Sequence, residues 1–463
     1  MSIYKPCDIR GDAACELTPK LYRQWGYALG RQIGPGDKFV VGGDTRESTP
    51  GFLAALMDGL CAAGVDCIDL GQLPTPMIYH AQRRLRARGY AVVTASHSPA
   101  SVNGLQWMVD GLPPRPEELA EQVGEIGPGE SCGDRARSTA RDLDISFDYV
   151  SLLQDRWIDA LRAQQHIVVE PMHGCWVDRA RRYLHAVFPE CLISVTHDTR
   201  RAEFDGQRPD CAEPDNLGEL CEAVYRERAH LGVAFDGDGD RLALVDNEGI
   251  PLTAEEATWV LLQSFSAEFP GKHFVYDLKF SDRVPEAARQ LGAEPLCERS
   301  GRAFLRGRMR DSGAVFGAEI SGHYFFGDLD GGDDGMFAAC RVIACLAQTG
   351  QSLADVRRAC PQVFMTPDLR VPMEPALQDQ VLAQVRDAWA QFPQTSVDGV
   401  RIELPVGWAL VRSSVTESAL CFRFEATDWG ELHELVGRFC NSLPQVGDQV
   451  WRQYQVTLGA VER

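Results

Sequence analysis

Leu231-Gly232-Val233-Ala234-Phe235-Asp236-Gly237-Asp238-Gly239-Asp240-Arg241 is an apolar run that breaks into three carboxylates at alternate positions and resumes as Leu242 to Val245. The apolar half suits a strand buried in an α/β sheet, and the acidic half a loop at its end. Glycines between the aspartates let the backbone bend tightly enough for all three carboxylates to converge. Carboxylate oxygens in that number suit a hard divalent cation such as magnesium. An EF-hand fails, because Arg241 stands at its required glycine and Asn247 at its bidentate glutamate. A solvated acidic turn is the plain alternative, weakened because three like charges so close repel unless something neutralises them.

Outward from this stretch, strands alternate with helices. Upstream lie Ile167-Val168-Val169 and a helical stretch from Asp178 to Val187. Downstream, Thr253-x-x-Glu256 reads as a capping box before Trp259, Leu262 and Phe265. Near the start, a Thr18-Pro19 helix with Leu21, Trp25, Ala28 and Leu29 on one face leads to Phe39-Val40-Val41. A second helix with Phe52, Leu53, Leu56 and Leu60 leads to Cys67-Ile68-Asp69-Leu70, and a third to Tyr90-Ala91-Val92-Val93. Strands separated by helices imply parallel crossovers. The Pro/Gly-rich stretch Gly111 to Thr139 reads as a loop-rich end to the first unit. From about Pro367 the pattern becomes one helix, a strand pair around Arg401 to Val411, a strand Leu420 to Phe424 and a closing helix Asp428 to Leu443. The expected fold is therefore α/β: three consecutive doubly wound α/β domains (1–141, 142–248, 249–364) and a smaller C-terminal α+β domain (365–463). A chain of 463 residues suits three or four domains.

A formal charge of −20 argues against nucleic acid and anionic membranes as partners. It would repel a small anion too, so an anionic substrate must be held by a local concentration of cations or a metal. The opening MSIYKPCDIRGD carries charge where a signal peptide needs an apolar run, no later stretch is long and apolar enough to span a bilayer, and the fifteen cysteines are scattered without metal-like spacing. A cytoplasmic chain with reduced thiols is expected. No motif sets the oligomeric state, and a monomer is the expectation.

Three further loops carry chemistry. Thr94-Ala95-Ser96-His97-Ser98-Pro99 follows a buried strand, where α/β sheets place ligand chemistry, although turn chemistry alone also favours Ser and Pro. Gly317-Ala318-Glu319-Ile320-Ser321-Gly322-His323 offers a carboxylate and a hydroxyl two residues apart, able to bridge neighbouring sugar hydroxyls. Arg412-Ser413-Ser414-Val415-Thr416-Glu417-Ser418 offers a guanidinium fork, hydroxyls and turn amides suited to a phosphate. Each alone is an ordinary turn.

In this order, with Cys7-Asp8-Ile9-Arg10-Gly11, Gly43-Asp44-Thr45-Arg46 and Tyr276-Asp277-Leu278-Lys279, the loops resemble the α-D-phosphohexomutase superfamily, in particular its bacterial phosphomannomutase/phosphoglucomutase branch, over essentially the whole chain. The resemblance implies four domains around a central cleft, each giving one loop. It implies phosphoryl transfer between the 1- and 6-positions of a hexose phosphate, with Ser96 as phosphoserine and a sugar 1,6-bisphosphate as intermediate and activator. Mg2+ would be held by Asp236, Asp238, Asp240 and the phosphate on Ser96. Glu319 and Ser321 would grip the sugar, and Arg412, Ser414 and Thr416 its non-reacting phosphate. Arg10 and Arg241 would stabilise charge on the transferring group, leaving proton transfer to His323, His97 or Lys279.

The pattern also breaks. The family normally has lysine at Gln106, often histidine at Arg302 and an aromatic residue at Cys7; Val415 and Ser418 depart in the phosphate loop. Glutamine and arginine are poor acids and bases near neutrality, and one general acid or base contributes on the order of 10²–10⁴-fold. An active mutase is thus set against a catalytically weak homologue that binds sugar phosphates as a sensor or partner protein, and, in third place, a metal-dependent phosphatase. Glu319 and Ser321 suit glucose and mannose alike; a glucosamine-phosphate substrate fits less well.

Overall fold

The computed structural model describes residues 2–126, 141–158, 164–414 and 418–461. Its strands form four sheets. In the first, Gly89–Val93, Lys38–Gly43, Asp66–Gln72 and Arg141–Asp142 run parallel, and Val102–Val109 and Ile9–Asp12 complete it antiparallel. The second joins His166–Glu170, Leu192–Val195 and Leu231–Ala234 in parallel, with Ala243–Asp246 antiparallel at the edge. The third pairs Glu294–Glu298, His273–Asp277 and Phe316–Ala318 in parallel before Tyr324–Phe326 and Gly332–Asp333 turn back. The fourth is antiparallel throughout.

Parallel crossovers are therefore half of the design. The first three sheets are mixed, and in all four the strand that leaves a chemistry-bearing loop pairs antiparallel with the strand that enters it: Val102–Val109 after Ser96, Ala243–Asp246 after the aspartates, Tyr324–Phe326 after Glu319 and Ala419–Ala426 after Arg412. Each loop is thus tied down at both ends by adjacent paired strands, which restricts it more than a strand-to-helix turn does.

The sequence signals for helix ends act as expected. Thr18 caps Pro19–Ile33 by accepting from the Leu21 amide, and Thr253 with Glu256 forms the full reciprocal capping box before Ala254–Ser264. Two expectations need correcting. The stretch from Gly111 contains the helix Pro116–Gly124, whose Leu119 is buried in the first domain; residues 127–140 lie outside the described residues. The helix Trp429–Asn441 does not close the chain, for Gly447–Val461 follows and packs Val450 and Tyr454 into the same core.

One apolar core runs through the first three sheets without a break, from Val40 through Tyr149 and Phe235 to Phe337. The fourth sheet has its own core. Between them lies a small contact of Leu278 with Trp408 and Leu410, reinforced by Arg401, which bonds the Leu278 carbonyl at 2.9 Å and pairs with Asp282 at 2.5 Å. Three domains form a rigid frame, and the fourth is latched to it by polar groups.

Candidate active site

All four loops open on one cleft of about 720 Å3. Ser96, at the end of Gly89–Val93, has a left-handed backbone (φ 52°). That conformation costs a non-glycine residue about 1–3 kcal/mol and persists only where neighbours enforce it. Here the enforcer is Arg46, fully buried, whose guanidinium donates to the carbonyls of Ser96 (2.8 Å), Ser98 (2.8 Å) and Pro99 (2.6 Å) while Asp44 holds its Nε at 2.9 Å. The strained turn aims Ser96 Oγ at Asp236 Oδ2, 2.8 Å away, with His97 Nδ1 at 3.2 Å. Burial, and then Arg241 and Arg10, keep the His97 pKa well below its ordinary value, so the ring is neutral.

The aspartate loop reaches Ser96 because two glycines let it. A Cβ at Gly237 would lie 2.9 Å from the Ser96 carbonyl oxygen, and one at Gly239 (φ 78°) 2.3 Å from Trp176 Nε1. Asp236, Asp238 and Asp240 are wholly buried, and one oxygen of each lies within 4.8 Å of the others. Burial pushes the Asp238 and Asp240 carboxyls upward, and the neighbouring carboxylates push further. Asp238 Oδ1 and both Asp240 oxygens bond nothing. Orphaned carboxylate oxygens in a buried, oxygen-only set are the arrangement that a divalent cation satisfies.

Opposite them, Glu319 Oε1 accepts from the Gly301 amide at 3.1 Å, leaving Oε2 without a hydrogen bond. Burial would raise the Glu319 pKa, but His323, Lys279 and Arg241 outweigh it and hold the carboxyl near 2. Ser321 Oγ sits 2.9 Å from His323 Nδ1. Burial alone would neutralise His323; Asp240, 3.3 Å away, and Glu319, 3.3 Å away, keep it charged instead, with a pKa of about 10. Lys279 is paired with Asp368 at 3.4 Å. Arg412 is buried with its Nε on Asp398 (2.7 Å) and its Nη2 bonding nothing. Ser414 lines the cleft. Thr416, with Val415, lies outside the described residues.

Models of the phosphoglucomutase/phosphomannomutase α/β/α domains I, II and III match residues 2–126, 148–249 and 255–364. A phosphomannomutase/phosphoglucomutase of Pseudomonas aeruginosa PAO1 is 31% identical over 453 residues, covering 96% of each chain. A phosphomannomutase of Escherichia coli is 28% identical over 92% of this chain and 95% of its own. A phosphoglucomutase/phosphomannomutase family protein of known structure from Burkholderia thailandensis superposes with a TM-score of 0.84 at 28% identity, covering 95% and 96%. The chain belongs to the α-D-phosphohexomutase superfamily.

Of the departing residues in this phosphohexomutase, Gln106, Arg302 and Cys7 line the cleft. Gln106, on Val102–Val109, is 3% exposed and its Oε1 bonds nothing. Arg302 turns away from the aspartates onto the first domain, donating to Tyr79 Oη and lying over its ring. Cys7 packs beside Gly301, its thiol pushed to about 12 by burial and by Asp8. Sequence reasoning missed Arg46, Asp210 and Arg423. Asp210 lies 3.4 Å from Arg241 Nη1 and 3.9 Å from His97 Nε2. Arg423 reaches across from the fourth domain to Asp368 and Glu255. The Gly43-Asp44-Thr45-Arg46 stretch was one available signal, since an Asp and Arg two apart after a buried strand can close such a clamp. Arg423 has none, because an arginine in an antiparallel strand is ordinary.

Proposed function

We propose that this phosphohexomutase moves a phosphoryl group between the 1- and 6-positions of glucose or mannose phosphate through a phosphorylated Ser96, with Mg2+ on Asp236, Asp238 and Asp240. The observation that carries the reading is the 2.8 Å contact of a strained, buried serine hydroxyl with a triad in which Asp238 Oδ1 and both Asp240 oxygens accept no hydrogen bond. Bound there, the ion would neutralise charge on the phosphoserine and on the group in transit.

The chain's own groups do the rest. Arg10, fixed by Asp8 at 2.8 Å and bonded to the Ala95 carbonyl and Ser98 Oγ, and Arg241, anchored on Asp210 and Asp236, flank the transferring group and stabilise its negative charge. Neutral His97 can take a proton at Nδ1 beside Ser96 Oγ, whereas charged His323 serves as a donor and electrostatic partner. Glu319 and Ser321 hold sugar hydroxyls, and Arg412 turns its uncommitted Nη2 toward the distal phosphate. After one transfer the bisphosphate turns end for end in the cleft, and the second transfer returns the phosphoryl to Ser96. The separate core of the fourth domain supports closure that keeps water from the phosphoserine.

Gln106 and Arg302 favour a second reading, a sugar-phosphate-binding homologue with little turnover. The test is a mutase assay with Mg2+, glucose 1-phosphate or mannose 1-phosphate and catalytic glucose 1,6-bisphosphate. Turnover abolished by Ser96→Ala supports the mutase; ligand binding without turnover in the parent supports the second reading.

A further inference from the structure

Asp333 ends the strand Gly332–Asp333 at the edge of the third sheet, is 1% exposed, and has two carboxylate oxygens that bond nothing. His323 Nε2 points between it and Asp240, 3.7 Å from Asp333 Oδ2 and 3.3 Å from Asp240 Oδ1. Both separations exceed an N–H···O hydrogen bond of about 2.7–3.2 Å. The 3.3 Å separation fits another geometry, and the 3.7 Å one lies a few tenths of an ångström beyond it. Donors at about 2.0–2.1 Å from a tetrahedral ion stand about 3.3–3.4 Å apart, because the tetrahedron's edge is roughly 1.63 bond lengths. The other ring nitrogen is held by Ser321 Oγ at 2.9 Å and faces Glu319 at 3.3 Å, the kind of outer support that orients a metal-binding imidazole. Ligand atoms of Asp240, His323 and Asp333 all lie within 4.8 Å of one another.

We propose that Asp240, His323 and Asp333 form a second metal site, for a borderline cation such as Zn2+, which shares Asp240 with the aspartate triad and shuts the enzyme down when filled. One imidazole and two carboxylates suit Zn2+ better than Mg2+, while the oxygen-only triad has the opposite preference. Neither Asp240 oxygen accepts a hydrogen bond, so the carboxylate can give one to each ion, and the incoming ion displaces the proton on His323 Nε2 to solvent. A filled site takes His323 Nε2 out of the cleft. The binding claim stands on these residues alone; the shutdown claim rests on the mutase reading.

The test uses the full chain in saturating Mg2+, with Co2+ as a spectroscopic probe for Zn2+. One equivalent of Co2+ is expected to give the intense visible absorption of a four-coordinate site, to be displaced by Zn2+, and to bind unchanged to Ser96→Ala, which tests binding apart from catalysis. Asp333→Asn and, independently, His323→Gln should each weaken Co2+ binding at least tenfold. Either variant keeping the parent's affinity and spectrum overturns the site. In the mutase assay Zn2+ should inhibit the parent, and the residual activity of Asp333→Asn should resist at least tenfold more Zn2+. Binding without inhibition would overturn the shutdown while leaving the site standing.

Discussion

Arg46 touches no reacting atom, yet the strained conformation of Ser96 depends on it. Replacing it with methionine keeps the apolar stem and deletes the guanidinium. Three carbonyls, those of Ser96, Ser98 and Pro99, lose their shared donor, and Asp44 is left as a buried charge with only Thr94, Thr49 and the residue 46 amide around it. Breaking a buried ion pair by removing one partner costs about 3–5 kcal/mol. The positive φ at Ser96, worth about 1–3 kcal/mol of strain, then loses the clamp on its carbonyl and is held only by the bonds of its amide to Thr94 Oγ1 and of its hydroxyl to Asp236. The turn relaxes and Oγ leaves Asp236; a displacement of about 1 Å at a reacting atom costs on the order of 10²-fold.

Arg46→Met is therefore expected to lower the urea midpoint by the equivalent of about 3–5 kcal/mol and kcat by about 10²-fold, with KM little changed. Asp44→Asn/Arg46→Met separates the two effects. Removing the stranded charge should recover much of the stability, while the three carbonyls still lack a clamp and kcat stays low. Arg46→Lys keeps the charge but reaches one carbonyl at a time, so it should fall between on stability and near the methionine variant on kcat. The reasoning is refuted if the double variant regains kcat, or if Arg46→Lys turns over like the parent, because Arg46 would then act only through its charge.

Three other outcomes are expected. Gln106→Lys restores a charge beside the reacting groups and should raise kcat at least tenfold, within the roughly 10²–10⁴ that one proton-transfer group contributes; an unchanged kcat would show that this position does not limit proton transfer. His80, 8% exposed with Nε2 unbonded, has its pKa lowered to about 4 by burial and then by Arg83, against 6.5 for an ordinary histidine. The unfolded chain binds the extra proton first, so this contribution is complete above about pH 6.5 and about 3 kcal/mol is lost as pH falls toward 4. His80→Phe should flatten the acid side of a stability-versus-pH curve, and an unaltered slope would contradict the assignment. Glu425 of the fourth domain accepts from Ser281 Oγ (2.6 Å), the Asp282 amide (3.1 Å) and Trp408 Nε1 (2.5 Å), tying down the turn that carries Lys279. Glu425→Ala should lower kcat/KM about tenfold, the size of one charge-assisted hydrogen bond of about 1.5 kcal/mol; equal kcat/KM would detach the latch from the chemistry.

The sequence displayed what has a local signature. Unbroken apolar runs marked Gly89–Val93 and Leu231–Ala234, and the Thr253-x-x-Glu256 spacing marked a helix start that the structure reproduces atom by atom. It hid Val102–Val109, because that strand carries Asn103 and Gln106 among its buried residues and so lacks a strand's apolar pattern. Asn103 is there for its bonds to Ser48 and Thr49, partners more than fifty residues away. The helix Gly447–Val461 was hidden for the opposite reason, since among the side chains described for its first ten residues Val450 and Tyr454 alone are fully buried. Within the site, loops with local spacing were legible, while Asp210 acquires meaning from His97 of the first domain, Arg423 from Glu255 of the third and Asp333 from its approach to Asp240 of the second.

The overall charge of −20 opposes an anionic substrate, and the site resolves the conflict through geometry. Five cleft cations are already held by carboxylates: Arg10 by Asp8, Arg241 by Asp210, Lys279 by Asp368, Arg412 by Asp398 and Arg423 by Asp368 and Glu255. Such pairs sum to little net charge, yet an arginine has five donors and a carboxylate occupies one or two. The acid therefore fixes the fork and leaves the other donors to face the cleft, as the buried, unbonded Nη2 of Arg412 does. Acidic surface elsewhere is screened over about 8 Å at physiological ionic strength, whereas oriented donors a few ångströms from a phosphate are not. Affinity for the anion is then set by where the donors point. On that account an Arg412→Lys substitution, which keeps the charge and loses the fork, should weaken phosphate binding nearly as much as Arg412→Met, and equal binding by lysine and arginine would show that charge alone suffices.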